Sequence, residues 1–267
     1  MPNITFVFQS ELAPMFSIKA HVKITAAVFS AFTISSCNRH FAVQKNEYRQ
    51  YAMDSQLSVD SSVVKYYLPY KNKMEAEMNR VIGQADHEIT KTSKPESLLG
   101  NFFSDALLAE GLKKEPSVQF TFSTKGGLRT GIPKGDITVS DIFELMPFEN
   151  EIVLLKISGA TVQKLIDFIV NDKGQPVAGM TMKIKNNKAY DVTIAGKPFD
   201  MNQTYNLLTY DYLANGGGDV TFLDKPIARN NIGLKVRDAL MQYIAEQTKS
   251  GKKINTQLDG RIVVEND

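Results

Sequence analysis

The segment EIVLLKISGATVQKLIDFIV, residues 151–170, changes its hydrophobic period in the middle. Its first half, EIVLLKIS at 151–158, is a short run of branched apolar residues and reads as a strand. Its second half spaces Val162, Leu165, Ile166 and Ile169 as the inward face of a helix, and Ser158 at the change can cap it by accepting one of its free N–H groups. A strand that runs directly into a helix implies a body in which both kinds of element share one core.

Working outward, the same mixture continues in both directions. Upstream lie the strand VQFTFS (118–123), the turn KGGLRTGIPKGD (125–136) and the helical VSDIFELM (139–146). Before them, SLLGNFFSDALLAEGLKK (97–114) gives a helix with Leu99, Phe102, Phe103, Ala106 and Leu107 as its buried stripe. Earlier still, Val64, Tyr67, Met74, Met78, Val81 and Ile82 recur at helical spacing, with Pro69 bending or restarting the helix. Downstream, GMTMKIKNNKAYDVTI (179–194) predicts a β-hairpin around Asn186 and Asn187. The strand YNLLTYDYL (205–213), a helix over 232–247 and a final strand RIVVE (261–265) follow. Strands spaced this irregularly argue for an α+β body with antiparallel pairing rather than a doubly wound parallel sheet.

Thirty-one basic against twenty-nine acidic side chains give a net charge of +2, and no basic stripe carries interleaved aromatics, so nucleic acid is not an expected partner. The N-terminal region differs from the rest. Lys19 and Lys23 precede a short apolar run, Ile24 to Ile34, then Ser35, Ser36 and Cys37, the only cysteine. The run is too short for a comfortable membrane span. This order resembles a bacterial lipoprotein signal with Cys37 as the lipid-bearing residue, which implies an exported, cell-envelope lipoprotein held to the membrane by its anchor. The expected organisation is a leader at 1–37, a tether at 38–60 and one domain at 61–267.

Four segments place glycine or proline beside polar or aromatic residues at the end of an element: NFFSDA (101–106), KGGLRTGIPKGDI (125–137), MPFEN (146–150) and YDYLANGGGD (210–219). Loops of this composition let a ligand approach the backbone closely. In this order and spacing they resemble the C-terminal domain of the 5′-nucleotidase family over about residues 60 to 265. The resemblance implies a four-layer α/β/β/α sandwich with mixed sheets that holds the nucleoside of the substrate, beside a separate metallophosphatase domain. It further implies that Arg129 offers donors to phosphate, carboxylate or ribose hydroxyls. Phe148 and Tyr212 would stack on the two faces of the base, Asn150 would meet the base edge, and Gly179 would lie near the base.

The chain also departs from the family pattern. Thr124 stands where asparagine is usual, and Lys113 replaces a helix arginine, keeping charge without the bidentate fork. The common NGGDG loop, whose aspartate binds the ribose, here reads NGGGD, so Gly218 takes the aspartate's place and Asp219 follows one residue late. Either the loop bulges and Asp219 still reaches the ribose, or that contact is gone. The metallophosphatase half needs several histidines for two metals. The sequence has three, of which only His87, in ADHE, falls in the body. No catalytic residue, metal site or cofactor is therefore expected in this chain, and divalent metals are expected only in a partner. The expected function is nucleoside or nucleotide recognition in a split 5′-nucleotidase that works with a separately encoded metallophosphatase. The alternative is a structural or interaction lipoprotein that kept the fold and lost the pocket.

Overall fold

The computed structural model describes residues 47–52, 54 and 57–265; the leader, Cys37 and residues 38–46 of the expected tether lie outside them. The chain divides at Asp60 into two units, and the second carries the fold. It opens with helix α1 (Ser61–Met78), whose N-cap Asp60 accepts the Ser62 and Val63 N–H groups, and the helix continues through Pro69. None of its residues is buried. The apolar spacing expected to continue to Val81 and Ile82 breaks here, because those two residues begin strand β1 (Val81–Ala85). Ile82 and Gly83 are buried there, and a Cβ on Gly83 would stand 2.4 Å from Ile244 of a later helix.

Helix α2 (Leu98–Lys114) follows, capped by Ser97, with the expected Leu99, Phe102, Phe103, Ala106 and Leu107 buried. Then come β2 (Phe120–Phe122), β3 (Gly135–Thr138), α3 (Val139–Leu145), β4 (Glu151–Ser158) and α4 (Gly159–Asn171). Ser158 caps α4 by accepting the Thr161 N–H at 3.2 Å. The remainder is β5 (Val177–Ala178), β6 (Met180–Lys185), β7 (Lys188–Ile194), β8 (Lys197–Pro198), β9 (Thr204–Tyr210) and the single turn α5 (Asp211–Ala214). It closes with β10 (Ala228–Lys235), α6 (Val236–Lys249) and β11 (Ile262–Val264).

The body is α+β, as the sequence predicts, with the mixed sheets that the family resemblance implies. Five strands pair in the order β10-β4-β9-β2-β5 and four in the order β11-β6-β7-β8, while β1 pairs with β3. β2 with β9 and β11 with β6 are parallel, and the other pairs are antiparallel. The predicted hairpin turns through Asn186 and Asn187, both at positive φ.

Register assigns the two faces of the larger sheet. Thr121 of β2 lies opposite Leu208 of β9. Thr121 donates to the Ser104 carbonyl of α2, and Leu208 fits against Gly111 of the same helix. The alternate residue, Phe122, meets Phe168 of α4 edge-on at 6.0 Å. Period-two alternation therefore gives α2 one face and α4 the other, and the residues of β2 on both faces are buried. Beyond the sheet α4 also packs on β7.

Candidate functional site

Strand directions bring three loops together. Because β2 and β9 are parallel, their carboxyl ends leave the sheet at one edge, and the antiparallel register of Ile152 with Tyr210 brings the start of β4 there as well. The segments after β2, before β4 and after β9 therefore converge. Between them is a cavity of about 360 Å³, partly open and lined mainly by apolar surface.

The loop after β2 makes one 3-10 turn at Lys125–Gly127, closed by the Gly127 N–H donating to the Thr124 carbonyl at 3.0 Å. Gly127 is needed for close approach, since a Cβ there would lie 2.7 Å from the Tyr210 hydroxyl. Two residues on, the Arg129 N–H donates to the Leu145 carbonyl at 3.0 Å and stitches this loop to the end of α3. The Arg129 guanidinium stands over the Phe148 ring, 5.1 Å from its centroid. No carboxylate pairs with it among the described residues.

The segment before β4 is held from behind. Arg237, in the first turn of α6, is almost fully buried, lies 3.9 Å from the centre of the Phe143 ring and ion-pairs with Glu149. Glu149 also pairs with Lys235. These contacts, the Lys235 hydrogen bond foremost and Arg237 next, hold the Glu149 carboxyl down to about 2. The Val236 N–H donates to the Asn150 carbonyl at 2.9 Å, so Phe148 and Asn150 sit on a segment clamped to the start of α6.

The third loop was expected to prolong the strand through Tyr212 and Leu213. Instead β9 ends at Tyr210 and the chain turns once through α5. The turn lifts Tyr212 to the cavity rim, where its hydroxyl accepts the Gly218 N–H at 3.1 Å. Its ring lies flat against Gly217, where a Cβ would stand 2.5 Å from ring carbons. Tyr210 forms part of the cavity floor, and burial raises its phenol pKa while hydrogen bonds with Thr124 act in the opposite direction.

Of the residues singled out in the sequence, Thr124, Arg129, Phe148, Asn150 and Tyr212 line this one cavity. The other three lie elsewhere. Lys113 is near the end of α2, in ion pairs with Glu110 and Glu246. Gly179 follows β5, which runs antiparallel to β2, and this puts it beside Gln119 at the opposite end of that strand. Asp219 is exposed, at φ 65°, and the cavity wall is formed instead by Gly218. Three wall residues were not singled out in the sequence, Gly126, Gly127 and Tyr210. For Tyr210 the available signal is its position as the last aromatic of a strand entering a glycine loop. Among the described residues no group of three or more His, Cys, Asp or Glu side chains is placed to hold a metal ion.

The model of the 5′-nucleotidase C-terminal domain matches residues 81–225, more than half of the chain. Protein UshA of Yersinia enterocolitica is 25% identical over 198 residues, covering 72% of this chain and 36% of that protein. The trifunctional nucleotide phosphoesterase protein YfkN of Bacillus subtilis is 25% identical over 217 residues, which are 14% of its own length. This chain thus spans about a third or less of these two relatives. Among solved structures, a 5′-nucleotidase precursor from Thermus thermophilus superposes with a TM-score of 0.66 at 25% identity, over 78% of this chain and 44% of that one. The NAD nucleotidase of Haemophilus influenzae shares the fold, with a TM-score of 0.59 at 15% identity over 78% of this chain and 42% of that one. By its sequence and its architecture, the chain belongs to the 5′-nucleotidase family and carries that family's C-terminal domain.

Proposed function

We propose that this protein recognises a nucleoside or nucleotide as the substrate-binding half of a split 5′-nucleotidase. The observation that carries this reading is the convergence of Phe148 and Tyr212 on one cavity, with the unpaired Arg129 guanidinium and the Asn150 amide beside them. Arg129 covers one face of Phe148, so a base would take the other, with Tyr212 as its second wall. Base–aromatic stacking contributes about 1 to 3 kcal/mol per base. Asn150 offers a donor and an acceptor to a base edge, and Arg129 suits an anionic phosphate.

In the family, two metal ions in a separate metallophosphatase domain would carry the hydrolysis. In this reading the divalent metals belong to a separately encoded metallophosphatase. The leader ending at Cys37 would place recognition in the cell envelope, on a lipid anchor. Titration calorimetry of the full chain with AMP, adenosine and a UDP-sugar tests the proposal. Binding should be saturable, and Phe148→Ala should weaken it about 5- to 150-fold, the equivalent of the lost stacking. No binding at millimolar concentration, or an unchanged affinity in the variant, would overturn it.

The alternative of a structural or interaction lipoprotein draws on Thr124, Lys113 and Asp219, of which Thr124 lines the cavity and the other two do not. That alternative predicts no nucleotide binding at any loop, so the same titration separates the two.

A further inference from the structure

We infer that helix α1 pairs, antiparallel, with α1 of a second copy of this chain, making the protein a weak homodimer. The inference stands apart from the nucleotide reading, since no residue of α1 lines the cavity. It starts from a helix that is largely uncovered. α1 spans 18 residues with none buried, and Pro69 in its interior removes a backbone hydrogen bond. Helices shorter than about 12 to 15 residues are marginal in water, and Pro69 leaves less than that on either side. Such an element takes its stability from packing an apolar face. Within the body α1 touches α3, with Val64 half-buried and Met78 against the core.

The main apolar stripe points elsewhere. Val63, Tyr67, Tyr70 and Met74 are spaced by four, three and four residues, so they form one line along the helix. That spacing is the seam of a two-stranded coiled coil. All four are exposed, from 42% at Tyr67 to 68% at Tyr70. Tyr66 borders the line, its ring centroid 6.0 Å from that of Tyr70. Tyrosine and methionine are residue types enriched at protein interfaces.

The occupant that fits this seam is the same seam turned end to end. With two helices antiparallel, Val63 meets Met74 of the second copy and Tyr67 meets Tyr70 of the second copy, and two-fold symmetry repeats each contact. The flank is complementary as well. Lys71 pairs with Glu75 and Glu77 with Arg80, whereas Lys73 has no ion pair among the described residues. Lys73 borders the seam on the same side as Tyr66, and the antiparallel order sets it beside Tyr66 of the second copy, where an ammonium meets an aromatic face. A parallel order would bring Lys73 to Met78, which is engaged with the core. A lipid surface is the poorer fit, because around the helix Glu77 falls between Tyr66 and Tyr70; in the helix pair it lies beyond the last seam contact.

Sedimentation equilibrium on the full chain tests the pairing. The chain should be mostly dimer at about 200 µM and mostly monomer at about 1 µM, because one helix pair is smaller than a standard interface of about 800 Å² per partner. The double variant Tyr67→Glu, Tyr70→Glu should associate at least about 10-fold more weakly. It should melt like the parent, since both residues are exposed. Orientation is read with a short bismaleimide in a Cys37→Ser background: Val63→Cys and Met74→Cys chains should cross-link when mixed, and neither should do so alone. A monomer at about 200 µM would overturn the inference. So would a dimer that survives in the double variant, which would place the contact outside α1. Cross-linking of Val63→Cys chains alone would overturn the antiparallel order, and this pattern still decides if the double variant fails to fold. A monomer that binds phosphatidylglycerol vesicles through these tyrosines would overturn the pairing in favour of a membrane surface.

Discussion

At the scale of single residues, the cavity depends on close approach as much as on the side chains that line it. Tyr212 lies on Gly217 with no room for a methyl group between them. Gly217→Ala should therefore push the ring off its seat and weaken the Tyr212 hydrogen bond with Gly218. Nucleotide affinity should fall about 10-fold, with a melting temperature near that of the parent because the loop is at the surface. Calorimetry beside a thermal melt checks both halves of this prediction. The same residues show how far a sequence discloses a site. Arg129, Phe148, Asn150 and Tyr212 were legible through the family resemblance of the glycine- and proline-bearing segments that carry them, since only Phe148 directly adjoins such a residue, Pro147. Tyr210 was not, since strand alternation marks it as a core residue; it is buried and at the same time forms the cavity floor. Gly179 matches a family glycine by position, yet its φ of 74° and a Gln119 carbonyl within 2.4 Å of any added Cβ account for it by backbone geometry alone.

At the scale of elements, α6 does more than cover the core. Its first turn supplies Arg237, which stacks on Phe143, reaches the Met146 carbonyl and holds Glu149, fixing the segment that carries Phe148 and Asn150. Arg237→Ala should cost about 1 to 2 kcal/mol of stability and weaken nucleotide binding several-fold. Arg237→Lys should recover part of both, because charge survives and the planar stack does not. The clamp also has a pH signature. Glu149 has its folded pKa depressed from 4.5 to about 2, so its contribution is complete above about pH 4.5 and is lost as pH falls toward 2. The melting-temperature gap between the parent and Glu149→Gln should be full at pH 6 and close near pH 2. The sequence revealed most elements but missed β1, β3, β5, β8, β10 and the single turn α5. The helix expected over 232–247 starts only at Val236, after β10. β10, ARNNIGLK, is an edge strand exposed along most of its length, and it shows no alternation because only one of its residues is buried. In β1 the short apolar run happened to continue the period of α1, whose own apolar residues are mostly exposed, with Met78 packing against the core.

At the scale of the whole molecule, one buried side chain that is not part of the cavity lining connects the sheets and a helix. Arg261 enters β11 with its side chain about nine-tenths buried, and its guanidinium donates to Asp105 of α2, to Asp259 and to the Val177 carbonyl of β5. It thereby links the five-stranded sheet, the four-stranded sheet and α2 through one planar group, an arrangement that a lysine point charge cannot reproduce. Burial alone would lower the Arg261 pKa, and the two carboxylates more than offset that, so the group stays charged. Asp105 and Asp259 are 39% and 56% exposed, and water can solvate them once the arginine is gone, so removal should cost less than breaking a fully buried pair. Arg261→Ala is expected to lower stability by about 2 kcal/mol, or the melting temperature by about 5 °C. Arg261→Lys should recover less than half of that loss. Nucleotide affinity should not change in either variant, because this junction forms no part of the cavity. An affinity that fell in step with stability would show instead that the cavity depends on the packing of the two sheets, and that the three loops are not positioned by the edge of the five-stranded sheet alone.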